Sequence, residues 1–273
     1  MEKKYILSEE TKEYKGKLLH RIIALRDFDD IIAGEKGGWI ENEYNLSHKG
    51  CCWVRDNAIV CDKACVFDDA RVAGNAIVEG HARVYCSAVV SVNARIMENA
   101  AVLGSAKIFG NALVGGKATV CNNVMVFDDA IVVGNVYIGE RAQVFSYAYI
   151  SGSSFVRDDA IVADHAFVDG GFIYEKVVIR GRARVIGKVT IDGRAEITDD
   201  AVIATKEDFI VFKNWWSSGR YFTWTRSNDK YKVGCFHGTG EQLVAKAYND
   251  DERKGREYER IVEYVNSIKN DGK

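Results

Sequence analysis

The sequence predicts a mainly β protein whose central part is a parallel β solenoid, and three features of a six-residue repeat carry this prediction. An aliphatic residue recurs every six residues from Val60 to Val168, and the series resumes from Ile179 to Ile203 after the register drops by one residue past Tyr174. A small residue, usually alanine, stands two places before the aliphatic one, and turn-forming residues fill the positions between. No helix has a period of six, and a hairpin sheet would need reversing turns. Each hexad is therefore predicted to be one short strand and one corner.

The polar positions of the repeat suit the corners of such a solenoid. Glycine or aspartate commonly stands four places before the aliphatic residue, as at Gly74 and Asp128, and asparagine or aspartate often follows it. These residue types tolerate a positive φ or hydrogen-bond their own backbone at a turn. Three hexads make one triangular coil of 18 residues. The repeat therefore predicts about eight coils, stacked at the usual strand spacing of ~4.8 Å.

The repeat resembles that of the hexapeptide-repeat family of left-handed β-helices, whose pattern is an aliphatic residue, a small or acidic one, and later another small one. The resemblance covers roughly 150 residues and implies a left-handed parallel β-helix. Residues 37–47 and 222–236 are also similar to uncharacterised hexapeptide-repeat proteins of phages and prophages. The chain departs from the family pattern where a bulky residue follows the aliphatic one, at Phe67, Tyr85, Phe109, Phe127 and Phe145. The last three share one register, and we expect their rings to stack.

The segments on either side of the repeats predict caps for the two open ends of the solenoid. Residues 1–37 are expected to form an N-terminal β cap that contains a strand over residues 19–25, and residues 38–204 the β-helix itself. An uncovered end would expose unpaired backbone and apolar core. Residues 205–273 lose the period and predict a small α+β domain.

Two hairpin strands and two helices are expected in that C-terminal domain. Apolar and polar residues alternate over residues 221–225 and 231–236, around a polar turn, which predicts a β-hairpin. Apolar residues at helical spacing predict helices over residues 241–247 and 252–268, the second with one apolar face.

Composition narrows the classes of function and compartment. The net charge of -2 gives no basic field for general nucleic-acid binding. Seven cysteines is an odd number, and their spacing fits neither a disulfide framework nor paired zinc knuckles, so we expect free thiols in a reducing cytoplasm. Residues 1–5 lack the apolar core of a signal peptide, and no stretch is long enough to span a membrane. No metal and no cofactor is predicted.

Proteins of the resembled family are often acyltransferases that use a histidine as general base at a subunit boundary. The chain offers His20, His48, His81, His165 and His237. His81 and His165 occupy corner positions on different edges, which favours a role as solvated turn residues. The aspartate pairs at 68–69, 128–129, 158–159 and 199–200 also fall at corners, where aspartate is an ordinary turn former. The sequence therefore predicts no catalytic residue, and it leans against an enzyme.

Two surfaces are candidates for binding. Aromatic rings beside cations suit stacking on a base and pairing with phosphate, and the C-terminal segment provides Trp215, Trp216, Arg220, Trp224, Arg226 and His237. The alternative is that its tryptophans form the core of the small domain. One outward face carries an apolar row that we expect to be an oligomer interface, formed by Ile59, Ile77, Leu113, Ile131, Tyr149 and Phe167. The alternative for that row is a cover made by the chain's own terminal segments.

Three hypotheses of function follow from the sequence. The leading one is a non-catalytic binding protein of phage or prophage type, in which the prism presents a surface to a host protein or holds a nucleotide-like ligand, with a counter-defence role. The first alternative is a hexapeptide-repeat acyltransferase, and the second is a structural element of a trimeric assembly. A homo-oligomer, with a trimer favoured, is expected because prisms of the resembled family associate side by side.

Overall fold

The computed structural model describes residues 3–270 and forms a mainly β protein, with a parallel β solenoid followed by a small antiparallel sheet and two helices. A hairpin of β1 (Tyr5–Tyr14) and β2 (Lys17–Ala24) precedes the solenoid. Strand β3 (Lys36–Ile40) pairs antiparallel with β2 and parallel with the first solenoid strand of its face, so that the hairpin continues this face. The predicted N-terminal strand corresponds to β2, whereas β1 was not predicted.

The solenoid strands of residues 3–270 form three parallel faces. Two faces contain nine strands each and the third contains eight, which makes about nine turns where about eight coils were expected. The first face contains β5 (Ile59–Val60), β8 (Ile77–Val78), β11 (Arg95–Ile96), β14 (Leu113–Val114), β17 (Ile131–Val132), β20 (Tyr149–Ser151), β23 (Phe167–Asp169), β26 (Arg184–Ile186) and β29 (Val202–Ile203). The second contains β4 (Trp53–Val54), β7 (Arg71–Val72), β10 (Val89–Val90), β13 (Lys107–Ile108), β16 (Met125–Val126), β19 (Gln143–Val144), β22 (Ile161–Val162), β25 (Val178–Ile179) and β28 (Glu196–Ile197). The third contains β6 (Cys65–Val66), β9 (Arg83–Val84), β12 (Ala101–Val102), β15 (Thr119–Val120), β18 (Tyr137–Ile138), β21 (Phe155–Val156), β24 (Phe172–Ile173) and β27 (Thr190–Ile191).

The repeat places its aliphatic and small residues inside the prism. Val126 and Val144, stacked in neighbouring coils, are both 0% exposed, and so is Ala130 at a small-residue position. The first residue of most two-residue strands, such as Met125, points outward and is partly exposed. The inside/outside pattern predicted from the six-residue period is therefore confirmed.

The drop in register lies slightly before the predicted place. Val168 and Ile173 are both 0% exposed and only five residues apart, so Ile173 and not Tyr174 continues the inward series. The short step is a corner in which Gly170 has a φ of 85° and the backbone of Gly171 packs too close to the valine of the next coil for a side chain. The pattern from Ile179 onward is as predicted.

Corner residues adopt the left-handed conformation expected of them. Asp128 has a φ of 57° and its carboxylate accepts the backbone N–H of Ser146 in the next coil at 3.1 Å. At Gly74, whose φ is 68°, a Cβ would lie 2.9 Å from the backbone nitrogen of Val92, which is closer than real Cβ atoms come.

Aromatic side chains follow the aliphatic position along one edge of the prism. The rings of Phe109, Phe127 and Phe145 stack with centroid separations of 5.0 Å and 4.9 Å, which confirms the predicted ladder.

The C-terminal part contains a four-stranded antiparallel sheet and two helices. Its strands are β30 (Phe209–Lys213), β31 (Tyr221–Thr225), β32 (Lys230–Val233) and β33 (Phe236–Gly238). The helices are α1 (Gly240–Asp250) and α2 (Glu252–Asn270), and two short 3-10 turns lie at Glu43–Asn45 and Lys206–Asp208. The predicted hairpin and both helices are confirmed, whereas β30 was not predicted. Over residues 3–270, neither helix is long and apolar enough to cross a membrane.

The buried valine series allows a direct test of the inside/outside assignment. We expect Val126→Asp to lower the free energy of unfolding by about 4 kcal/mol or more, because it buries an unpaired carboxylate among aliphatic side chains. The outward neighbour Met125→Asp should cost less than about 1 kcal/mol. Denaturant unfolding of both variants checks this, and equal losses would refute the assignment.

Candidate active site

One edge of the solenoid, between the second and first faces, ends in a cluster of charged side chains. A left-handed residue recurs on this edge in every coil, at Asp56, Gly74, Val92, Gly110, Asp128, Ser146, Asp164, Gly181 and Asp199. Where it is aspartate, the carboxylate accepts the backbone N–H of the residue one coil further on. The distance is 2.8 Å from Asp56 to Gly74 and 2.9 Å from Asp164 to Gly181.

Asp199 occupies the same position in the last coil, where the described chain has no further coil whose backbone N–H could donate to its carboxylate. Its Oδ2 atom instead accepts a hydrogen bond from Lys230 Nζ at 3.0 Å and lies 3.1 Å from His237 Nδ1. Both partners come from the C-terminal sheet, in which His237 on β33 pairs with Lys232 on β32. The end of the solenoid thus leaves a carboxylate free to contact the small domain.

Burial and the charges around it set the pKa of His237. Burial lowers its pKa below the ordinary 6.5; Asp199 opposes this shift, and the nearby cations Lys230, Lys232 and Arg180 add to it. The ring is therefore neutral near pH 7. With its proton on Nδ1, the nitrogen that faces Asp199 Oδ2, the neutral ring would carry its free lone pair on Nε2. A neutral imidazole beside a carboxylate is the usual arrangement for proton abstraction.

Two adjoining grooves give access to this cluster, and both are lined by Asp164, Gly181 and Asp199. The smaller, of about 220 Å³, is also lined by His237 and Lys232. The larger, of about 650 Å³, includes His165, whose exposed ring stacks on Tyr147 of the preceding coil at 4.9 Å. Two histidines that are far apart in sequence therefore lie on either side of one corner.

The other three histidines lie elsewhere. His48 stacks on Tyr5 at 4.3 Å, and His20 Nδ1 lies 3.3 Å from the backbone oxygen of Ser8, both at the N-terminal end. His81 is exposed at a corner between the first and third faces, whereas His165 lies between the second and first. The predicted placement of His81 and His165 on different edges is confirmed.

The first aspartate of each pair is a left-handed corner residue, which confirms the predicted turn role, and only Asp199 differs in the partners of its carboxylate. Asp68, Asp128 and Asp158 each accept a backbone N–H from the next coil. The pair at 199–200 has the same local sequence, so its residue types gave no sign of a different role. The one available signal was its position in the last hexad of the repeat, four places before Ile203.

The structure does not bring the six predicted ligand residues together. Trp224 is 0% exposed in the core of the C-terminal part, where its Nε1 donates to Asp229 at 2.8 Å, as the core-packing alternative expects. Trp215 and Trp216 are 73% and 75% exposed on the loop after β30. Arg226 donates to the backbone oxygen of Glu207 at 3.0 Å. Arg220 lines a separate groove, and only His237 lies beside Asp199.

The predicted interface row is partly covered by the chain itself. Ile59 is only 7% exposed because it packs with Leu19 and Trp39 of the N-terminal segment, and Ile77 lies against the same cluster. Ile59 is therefore not available to a partner, which corrects the prediction for that end of the row. The accessible members lie further along the first face, at Leu113, Ile131, Tyr149 and Phe167.

One cluster has the donor atoms of a metal site, but its carboxylates are already paired with lysine and arginine side chains. Cys61, Asp62 and Glu79 have ligand atoms within 4.8 Å of one another. Glu79, however, accepts from Lys15 at 2.8 Å and from Arg95 at 2.8 Å, and Asp62 pairs with Lys17. Burial raises the pKa of the Cys61 thiol to about 11, so the thiol stays protonated. These residues do not suit a cation.

Comparison with known proteins gives one local match of high identity. No family model matches the chain. The uncharacterized acetyltransferase YdcK of Escherichia coli (strain K12) is 47% identical over 66 residues, which is 21% of this chain and 20% of that protein. The chain thus matches about a fifth of this relative's length. A solved Bacillus cereus protein described as a "putative acetyltransferase" is 14% identical, covering 72% of this chain and 96% of its own, with a TM-score of 0.23.

The match to a protein named an acetyltransferase corrects the leading hypothesis of function. The prediction of a non-catalytic binding protein with a counter-defence role was wrong, because the matched relative is named as an enzyme. The matched relative comes from Escherichia coli, and it does not show the expected link to phages or prophages.

The contacts of His237 predict how its pKa responds to its neighbours. We expect an NMR titration midpoint below 6.5, lowered further in Asp199→Asn, which removes the stabilising carboxylate, and raised in Lys230→Met, which removes a repelling cation. Because the folded pKa is below the unfolded one, the unfolded chain binds more protons between the two values. Stability should therefore fall as the pH drops through that interval. A higher midpoint in Asp199→Asn would contradict the assignment.

Proposed function

We propose that the protein is an acyltransferase in which His237 acts as general base and Asp199 orients its ring. The proposal depends on the 3.1 Å distance between His237 Nδ1 and the Asp199 carboxylate, which does not bond a further coil as the other corner aspartates do. The 47% identity over 66 residues to a protein named an acetyltransferase supports the reaction class. This is the first alternative that the sequence raised, with a different histidine from those at the repeat corners.

The proposed reaction transfers an acyl group from a thioester to a hydroxyl or amine. His237 Nε2 accepts the proton of the acceptor as the acceptor oxygen or nitrogen attacks the thioester carbonyl. The tetrahedral intermediate then collapses, the carbon–sulfur bond breaks, and the imidazolium returns the proton to the leaving thiolate. Arg180 and Lys232, which line the same groove, supply positive charge for the oxygen that becomes negative.

A kinetic comparison of histidine variants tests this proposal. With acetyl-coenzyme A and a panel of small amines and alcohols, His237→Ala should lower kcat/KM by about 10²- to 10⁴-fold, the usual contribution of a general base. His81→Ala, an exposed corner histidine on another edge, is the matched control and should leave the rate unchanged. Product formation is followed by chromatography, because seven free cysteines would disturb a thiol reagent.

Two results would contradict the proposal. One is full activity in His237→Ala with an unchanged melting temperature. The other is a loss confined to His165→Ala, which would move the base to the neighbouring groove.

We also propose that the protein forms a homotrimer through the accessible part of the apolar row. Tyr149 and Phe167 stack at 5.6 Å on the outside of the first face, in line with Leu113 and Ile131. Desolvating four such side chains at ~1.5–3 kcal/mol each offsets much of the cost of association. A closed ring would hide this face in each subunit.

A paired substitution tests the trimer. Ile131→Lys with Tyr149→Lys should give a monomer by light scattering while the melting temperature stays nearly constant. Thr119→Lys with Tyr137→Lys, at the corresponding positions of the third face, is the control and should leave the trimer intact. A monomeric wild type at tens of micromolar would refute the proposed assembly.

We also propose boundaries for the domains of the chain and a compartment in which it works. We propose that residues 1–37 cap the β-helix of residues 38–204, and that residues 205–273 form the second domain. Strand pairing of β2 with β3 supports the first boundary, and the separate antiparallel sheet supports the second. All seven cysteines are free thiols, which supports a reducing compartment such as the cytoplasm.

A further inference from the structure

A third groove, of about 580 Å³, lies between the second face of the solenoid and the C-terminal sheet. Lys176 and Arg194 line it from neighbouring coils, next to β25 and β28, and Lys213 and Arg220 line it from the ends of β30 and β31. Glu196 also lines it and is the one carboxylate among its described lining residues. Four cations from two separate walls therefore face one space of small-ligand size.

The charges in this groove are unbalanced. Within residues 3–270, no carboxylate lies within 4.0 Å of the charged atoms of Lys176, Arg194, Lys213 or Arg220. Glu196 is already shared between Arg180 at 3.5 Å and Lys232 at 3.6 Å, on the side towards His237. Repulsion among the four cations would be relieved by an anion that carries more than one charge.

The placement of the cations favours a diphosphate over a single anion. Lys176 and Arg194 occupy equivalent positions of adjacent coils, where the backbone N–H of Lys176 donates to the backbone oxygen of Gly193 at 3.0 Å. Equivalent positions are spaced by ~4.8 Å, so the two neighbouring cations can each contact a different group of one polyvalent anion. Arginine adds paired donors that match phosphate oxygens.

Aromatic rings at the rim of the groove suit a base attached to such a diphosphate. The Arg194 guanidinium lies 5.3 Å from the Tyr221 ring centroid, and Lys213 Nζ lies 3.6 Å from that of Trp215. Trp215 is 73% exposed and offers an open face for stacking. The net charge of -2 for the whole chain and the bounded groove disfavour a long nucleic acid.

We propose that this groove binds the diphosphate of a nucleotide, with Lys176, Arg194, Lys213 and Arg220 holding the phosphates and Trp215 stacking on the base. The ligand is either a free nucleoside diphosphate or a larger conjugate that contains one. The assignment does not require acyl transfer at His237, because the residues of the two sites differ.

Direct binding to the full chain tests this site. Isothermal titration at low ionic strength uses sodium pyrophosphate, ADP, coenzyme A, adenosine and inorganic phosphate as probes. We expect ADP to bind more tightly than pyrophosphate, adenosine to give no heat, and affinity to fall as salt is added. Arg194→Ala and Lys213→Ala should each weaken ADP binding by about tenfold or more, the usual loss for a hydrogen bond between charged groups.

Matched controls separate the site from general electrostatics. Lys206→Ala and Lys107→Ala remove exposed cations outside the groove and should leave ADP affinity unchanged. Arg194→Lys keeps the charge but not the paired donors, and should recover only part of the affinity. His237→Ala should bind ADP as the wild type does, so that a failure of the acyl-transfer proposal leaves this one intact.

The outcomes divide clearly. Tighter binding of coenzyme A than of ADP would support the site and identify the conjugate as ligand; binding of ADP alone would support it with the free nucleotide as ligand. Absence of heat with every probe, or equal losses in the groove variants and in Lys206→Ala, would overturn the proposal. Single-stranded RNA is titrated as a further probe, and its binding without any binding of ADP would also overturn the proposal.

Discussion

Each corner of the solenoid depends on one residue held in the left-handed region of φ. On the edge that ends at the candidate site, Asp56, Asp128 and Asp199 have φ values of 55°, 57° and 56°. This residue turns the chain so that a strand of only two residues passes directly to the next face. When it is aspartate, its side chain also bonds the coil above. Because the corner recurs every six residues, the inward valines and isoleucines of successive coils stack on one another. The corners therefore determine the position of the core.

At the end of the stack, the contacts that join one coil to the next are made by the C-terminal sheet. In earlier coils the N–H of an outward strand residue donates to the next coil, as Val178 does to Ala195 at 2.9 Å. In the last coil the N–H groups of Glu196 and Val202 donate instead to Thr223 Oγ1 at 2.9 Å and Ser227 Oγ at 2.7 Å. Side chains of the small sheet thus replace the missing coil. The same sheet carries His237 and places it beside Asp199. The sheet that caps the solenoid therefore also forms the candidate site.

The repeat made most of the fold predictable, because each short strand is specified many times by the same pattern. Strand β1 was missed because most of its residues are polar and only Tyr5 is buried, and its pairing with β2 gives no period. Trp224 and Trp215 could not be separated by sequence, since both stand among polar residues near the same hairpin. One is buried by α2 and the sheet, and the other lies on a loop.

The candidate site was less predictable, because Asp199 and His237 are joined only by tertiary contact. Asp199 has the same local pattern as the turn-forming aspartates, and its role changes through the end of the stack alone. His237 lies outside the repeat, where no spacing relates it to a corner. The sequence did single out His237 with the cations around it, because aromatic and basic residues are dense in this segment. It could not show that burial beside three cations would keep the ring neutral.

Along the edge that leads to Asp199, the side chains change from paired amides to exposed groups that could contact a ligand. In its early coils the position after the left-handed residue carries amides that satisfy each other: Asn75 donates to Asn93 at 3.2 Å, and Asn93 to Asn111 at 3.1 Å. Further along, the same position carries Tyr147 and His165, which stack and remain exposed. A ladder of identical amides leaves no group free to bind a ligand. Beyond these amides, Tyr147 and His165 keep exposed ring faces, and both line the groove that contains Asp199.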